Sequence, residues 1–206
     1  MTLAFVFRYF HVLAGIVWIG MLYYFNFVQT EYFKEAEADA KADAMQKLAP
    51  RALKWFRYGA LVTFLTGLGL LHFVGAFKSV VGSSLILVGA LAGTFMFLNV
   101  WLIIWPNQKI VIGYKEGDKA AAAAKAGLAS RTNTLFSGPM LLGMVGSNHL
   151  YIPDISMTGL IAACALIIVL EINAIVGRMG PMASVVGVVH LALALAGVIW
   201  ALLALL

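Results

Sequence analysis

Six long apolar runs, at about residues 3–28, 55–77, 80–105, 132–150, 156–177 and 184–206, take up most of this 206-residue chain. A run of ~20 such residues crosses the ~30 Å of hydrocarbon in a bilayer when it coils into a helix. In lipid the backbone must satisfy its own hydrogen bonds, so helices are the expected spanning form for runs of this length. The expected fold is therefore an all-α integral membrane protein: a six-transmembrane-helix bundle forming one membrane domain over residues 1–206. The remaining residues make loops and leave no room for a separate soluble domain. Composition agrees, with 63% hydrophobic and 11% charged residues, against about 25% charged in an ordinary soluble domain. The first run reads as a permanent helix. It is too long for a signal-peptide core, no basic region precedes it, and no small-x-small cleavage site follows.

The basic residues are placed unevenly. Twelve of the fourteen Lys and Arg fall in or beside the connections after runs 1, 3 and 5, leaving Arg8 and Lys78 for the opposite side. Short loops rich in Lys and Arg stay in the cytoplasm. Both termini are thus expected on the periplasmic or outer side of a bacterial inner membrane, and an even helix count agrees in putting them on one side. The net charge of +5 follows from this topology. No basic segment is interleaved with aromatics, so nucleic acid is not an expected partner; membrane lipid is. Residues 34–49 and 115–129 are rich in Ala, Lys and acids, good helix formers. Each reads as a solvated or interfacial helix, or else as a charged spacer.

Small residues mark sites of close helix approach: Gly89 and Gly93 as a GxxxG in run 3, and Gly67 and Gly69 in run 2. Pro139 is expected to kink run 4. Cys164 stands alone in an apolar run, which excludes a disulfide framework and reads as a small buried hydrophobe.

Chemistry is expected at the histidines, because all four lie in or at the end of spanning runs, where ionisable groups are costly and usually face the interior. His11 lies near the outer end of helix 1, and Arg8 beside it marks the interface. His72 lies ~22 Å along helix 2 from Arg57 at ~1.5 Å per residue, and His149 ends helix 4. These three converge on the outer third of the membrane. Imidazole suits haem iron, zinc or copper. Gly15 and Trp18 continue the His11 face and would let a flat macrocycle approach. Structural, hydrogen-bonded histidines are the competing reading. Deeper toward the cytoplasm, Glu171 and His190 lie at similar depth and form a possible inner-leaflet polar site. Glu171 has Arg178, Asn173 and Asn99 as alternative partners. The sequence has no Cys pair, no CxxCH, no GxGxxG and no Walker motif.

The stretch from Arg8 through His11, Gly15 and Trp18 to Gly20 resembles the first helix of the urate oxidase N-terminal family. Trp105-Pro-Asn-Gln108-Lys109, Arg131-Thr-Asn133-Thr134 and Ser147-Asn148-His149 resemble further motifs of that family over about residues 5–155. Its members are the membrane regions of bacterial urate hydroxylases, often fused to a cytochrome c domain. The His-x6-Trp-x-Gly helix also resembles haem-binding membrane proteins related to bacterial protoporphyrinogen oxidase, and copper-resistance-type membrane proteins. These resemblances imply haem b on His11, with His72 or His149 as the second axial ligand and Arg8 near the propionates. His11 and His149 carry over by matched position; His72 and His190 lie outside the family's motif.

The functional expectation is a haem b-binding membrane redox protein that passes electrons to a separate periplasmic cytochrome c. A narrower form is the membrane part of a urate-hydroxylase-like oxidoreductase. The alternative is a non-redox transporter or a structural subunit of a larger membrane complex. Exposed glycine faces would suit a homo-oligomer.

Overall fold

The computed structural model describes residues 2–206. Six helical rods carry the fold: α1 (Leu3–Glu35), α2 (Ala38–Phe73), α3 (Val81–Val111), α4 (Lys119–His149), α5 (Met157–Val176) and α6 (Val185–Leu205). No strand occurs among the described residues. Five of the six, all but α4, are long and apolar enough to cross a membrane. Their outward faces are greasy: Ile16, Leu68, Leu102, Val169 and Leu193 are each at least half exposed. Apolar exposure on that scale belongs to a protein solvated by lipid, and the chain is a multi-pass membrane protein.

The sixth expected span, 132–150, lies within α4, a 31-residue helix that is not among the five apolar spans. The reason is local. Arg131, Thr132, Asn133, Thr134 and Ser137 are buried on α4, so its polar side chains face protein. Such a helix scores low on hydropathy although its surroundings are apolar. α4 continues through Pro139 as one helix.

The two charged connections are not independent helices lying beside the bundle. Backbone at Ala36 turns extended, and from Ala38 the chain runs helically into α2. At the second connection the Asp118 carboxylate accepts the Ala120 and Ala121 N–H groups at 2.9 and 3.0 Å. That N-cap starts α4 well before its apolar part. Both connections are therefore extensions of the main rods.

Three rods contain a π-helical turn, at Tyr24–Gln29 in α1, Ala44–Leu48 in α2 and Asn99–Ile104 in α3. Such turns shift the side chains that follow and concentrate at functional sites. Two of the three begin at or within two residues of a buried asparagine, Asn26 and Asn99.

The rods pack as two groups. α1 lies antiparallel on α2, with Gly59 so near α1 that an added Cβ would sit 3.1 Å from the Trp18 nitrogen. In the other group α3 packs on α4, α4 on α6, and α5 on α6. A Cβ on Gly89 would meet the Gly143 Cα at 2.9 Å, so α3 and α4 touch backbone to backbone. The groups meet through stacked Phe64 and Phe97 rings 4.2 Å apart and through the Tyr58–Trp101 pair. Nearer the charged connections, Tyr23 bonds Ser137 and Asn26 donates to Ser130, each at 2.8 Å. Toward the opposite end, where both termini lie, the two groups separate.

Candidate functional site

His11 stands on α1 where the groups begin to part. Its Nδ1 lies 2.9 Å from the Thr63 carbonyl oxygen and 3.2 Å from Thr66 Oγ1, both on α2. A carbonyl oxygen only accepts, so Nδ1 carries the hydrogen and donates it. This fixes the tautomer and leaves Nε2 with a free lone pair. A histidine ready to bind a metal has this arrangement, with one ring nitrogen held by a carbonyl and the other unprotonated. Gly67 makes room for the ring: a Cβ there would meet His11 Cε1 at 3.1 Å.

His11 lines a cavity of about 850 Å³ between the two groups, at the upper end of the ~300–1,000 Å³ range of ligand sites. The walls are mainly apolar, with Phe64, Leu68 and Leu71 from α2 and Leu85, Ile86 and Ala90 from α3. From α4 come two thioethers, Met140 and Met144. Polar groups gather toward the terminal end, where Arg8, Ser83, Ser147, Asn148, Tyr151 and Asp154 line it. Trp18 also lines the cavity, and its indole N–H is buried without a partner. An occupant bearing an acceptor would satisfy that donor.

The other sequence-assigned residues separate. Gly15 packs toward Thr63 and does not line the cavity; Arg8 does, and is exposed. His72 and His149 are exposed and neither lines the cavity. His190 is exposed, with Nδ1 2.8 Å from the Val186 carbonyl oxygen of its own helix. No cluster of three or more His, Cys, Asp or Glu residues that could hold a metal occurs among the described residues. Sequence reasoning missed Thr63, Thr66, Met140 and Met144. Thr63 and Thr66 lie four residues and one residue before Gly67, and the methionine pair is spaced i, i+4 on α4, but nothing in one sequence says that either faces His11.

A second polar centre lies on the charged-connection side. Glu171 is 7% exposed, and its Oε2 accepts from Asn99 Nδ2 at 3.1 Å. The same Nδ2 donates to Asn133 Oδ1 at 3.0 Å, and Asn133 Nδ2 donates to the Met96 carbonyl at 2.9 Å. Of the alternatives open in the sequence, Asn99 is the partner Glu171 has; Asn173 instead bonds the backbone at Arg178. Beyond this centre Arg131 is buried, with Glu31 4.0 Å away. Arg57 lays its guanidinium 3.2 Å over the Trp105 ring.

The sequence model described as urate oxidase N-terminal matches residues 76–202, more than half of the chain. The chain belongs to the urate oxidase N-terminal family. Within the matched range lie the stretches at Trp105, Arg131 and Ser147 that suggested the likeness, whereas the Arg8–Gly20 stretch with His11 lies before it. In this family member the Arg131–Thr134 stretch is wholly buried and supplies Asn133 to the Glu171 centre, while Ser147 and Asn148 line the cavity. No curated protein and no solved structure matches the chain.

Proposed function

We propose that this urate oxidase N-terminal protein is a haem b-binding membrane redox component, the membrane part of a urate-hydroxylase-like oxidoreductase, handing electrons to a cytochrome c. The observation that carries the reading is His11: its Nδ1 is anchored by Thr63 and Thr66, and the residue lines a cavity of about 850 Å³. The residues around the cavity fit the group. His11 would hold the iron through Nε2. Among the lining side chains, Met140 and Met144 would offer a second donor atom, since His11 is the histidine that lines the cavity. Apolar walls suit the macrocycle, and Arg8 with Ser147 and Asn148 suits its carboxylates at the terminal end.

Haem in that place would supply one-electron chemistry; the chain's own part is ligation, polarity and access. Thr63 and Thr66 hold the His11 ring in one orientation. The apolar walls keep the surroundings low in dielectric, and the polar rim would keep the cavity open to partners. With α4 taken as a sixth span that turns its polar side chains inward, the positive-inside rule favours a periplasmic side for both termini and the cavity mouth. A cytochrome c on that side would meet the rim directly.

The test is an oxidised-minus-reduced visible spectrum of the detergent-purified protein expressed with ample haem. A Soret band with sharp reduced α and β bands is expected, and the reduced protein should pass electrons to added cytochrome c. A colourless protein would overturn the reading.

A further inference from the structure

The hydrogen bonds around Glu171 can be assigned atom by atom. The Met96 carbonyl can only accept, so the Asn133 atom facing it is Nδ2. Asn133 therefore presents Oδ1 to Asn99, and the Asn99 atom facing that oxygen must be Nδ2. This same nitrogen donates to Glu171 Oε2. Asn99 Oδ1 is left buried with no donor, in a residue that is 1% exposed. A buried acceptor without a donor is costly, and so is a buried carboxylate with no cation. No ion pair involves Glu171 among the described residues.

We propose that Glu171, Asn99 and Asn133 form a proton-binding site inside the bundle, with Glu171 carrying the proton and donating it to Asn99 Oδ1. One proton removes both defects at once. The acid's O–H supplies the donor that Asn99 Oδ1 lacks, its second oxygen keeps the bond from Asn99 Nδ2, and the buried charge disappears. Loading is the addition of H⁺ to the carboxylate and unloading its loss, with no other reactant. The site joins α3, α4 and α5. Asn99 lies five residues beyond Thr94, which lines the cavity, or ~8 Å further along α3.

The charged and titratable groups on the surrounding helices lie elsewhere. Arg131 on α4 is directed to Glu31, and Lys109, Lys119 and Lys125 lie toward the charged connections. His149 lies at the terminal end and His190 is exposed on α6. Cys164 is two turns away on α5. The proposal does not depend on a haem in the cavity.

Among the described residues Glu171 is the only buried acidic side chain; Glu31 is half-buried and the other seven acids are exposed. Infrared spectroscopy of the purified wild-type protein at neutral pH should therefore show one protonated-carboxyl carbonyl band, shifted by deuterium exchange and absent from Glu171→Gln. A glutamine amide offers the same donor and acceptor as the protonated acid. Glu171→Gln should thus melt at the wild-type temperature, and Glu171→Ala below it. Raising the pH should lower the melting temperature of wild type and not of Glu171→Gln. Absence of the band from wild type at neutral pH would overturn the proposal, even if the variants fail to fold. So would a wild-type melting temperature that rises with sodium, which would make the site a cation site.

Discussion

Toward the terminal end of the bundle, α1 and α2 stand away from α3 and α4 and leave His11 on the wall of a large apolar cavity. Toward the charged connections α1, α3, α4 and α5 close on one another through Tyr23–Ser137, Asn26–Ser130 and Asn99–Asn133–Glu171. Polar side chains have opposite uses in the two halves. In the closed half they bond one another across helices and hold them together, as interhelical hydrogen bonds do in lipid. In the open half a single imidazole is anchored on one side and left free on the other. The closed half is thus built for stability and the open half for a ligand, so substitutions should separate fold from function according to the half they touch.

The largest effect should come from Asn99→Leu in the closed half. It strands Asn133 Oδ1 and removes the only partner of Glu171, at about 1–3 kcal/mol for each stranded group. Thermal melting should show a large loss of stability, while the cavity residues stay in place. Next is Gly89→Ala, whose Cβ would press on the Gly143 backbone. Backbone cannot yield as a side chain can, and overpacking of this kind costs about 1–3 kcal/mol. Trp105→Leu removes the ring under Arg57 and should cost about 0.5–2 kcal/mol. The smallest stability change belongs to Gly93→Ala, one turn from Gly89 on the same helix. Its Cβ would meet only Met140 Cγ, at an ordinary 3.6 Å, so melting should be unchanged. Gly93→Phe would instead fill cavity space, and should cut haem uptake with little change in melting. If Gly89→Ala and Gly93→Ala melted alike, the backbone-to-backbone approach of α3 and α4 at Gly89 and Gly143 would fail as an account.

Apolar run length was enough to locate the helical rods, because a bilayer imposes a length and an apolar surface on whatever crosses it. Each of the five most apolar rods overlaps its expected run, although α1, α2 and α3 extend beyond theirs toward the charged connections. α4 shows where that signal weakens: a helix that turns Arg131, Asn133 and Ser137 inward differs in hydropathy from one that turns only leucines inward, yet sits among the same neighbours. The close approach at Gly89 was legible from GxxxG spacing, although its contact is Gly143 on another helix. His11 was singled out by its place in a spanning run. Its anchors, Thr63 and Thr66, were not, because they depend on how α1 and α2 align. His72 and His149 have the same residue type and similar depth as His11, but a few residues of helical phase turn them outward. Glu171 could be paired on paper with His190 or Asn99, and depth alone could not choose between partners on different helices.

The difference between the three outer histidines gives the most direct test. Haem content per chain should be measured in the four single variants His11→Ala, His72→Ala, His149→Ala and His190→Ala, each purified in detergent after expression with ample haem. A haem held in the cavity predicts near-complete loss in His11→Ala, with wild-type content in the other three. Full haem content in His11→Ala, or loss in His72→Ala or His149→Ala instead, would contradict a cofactor held by His11 in the open half of the bundle.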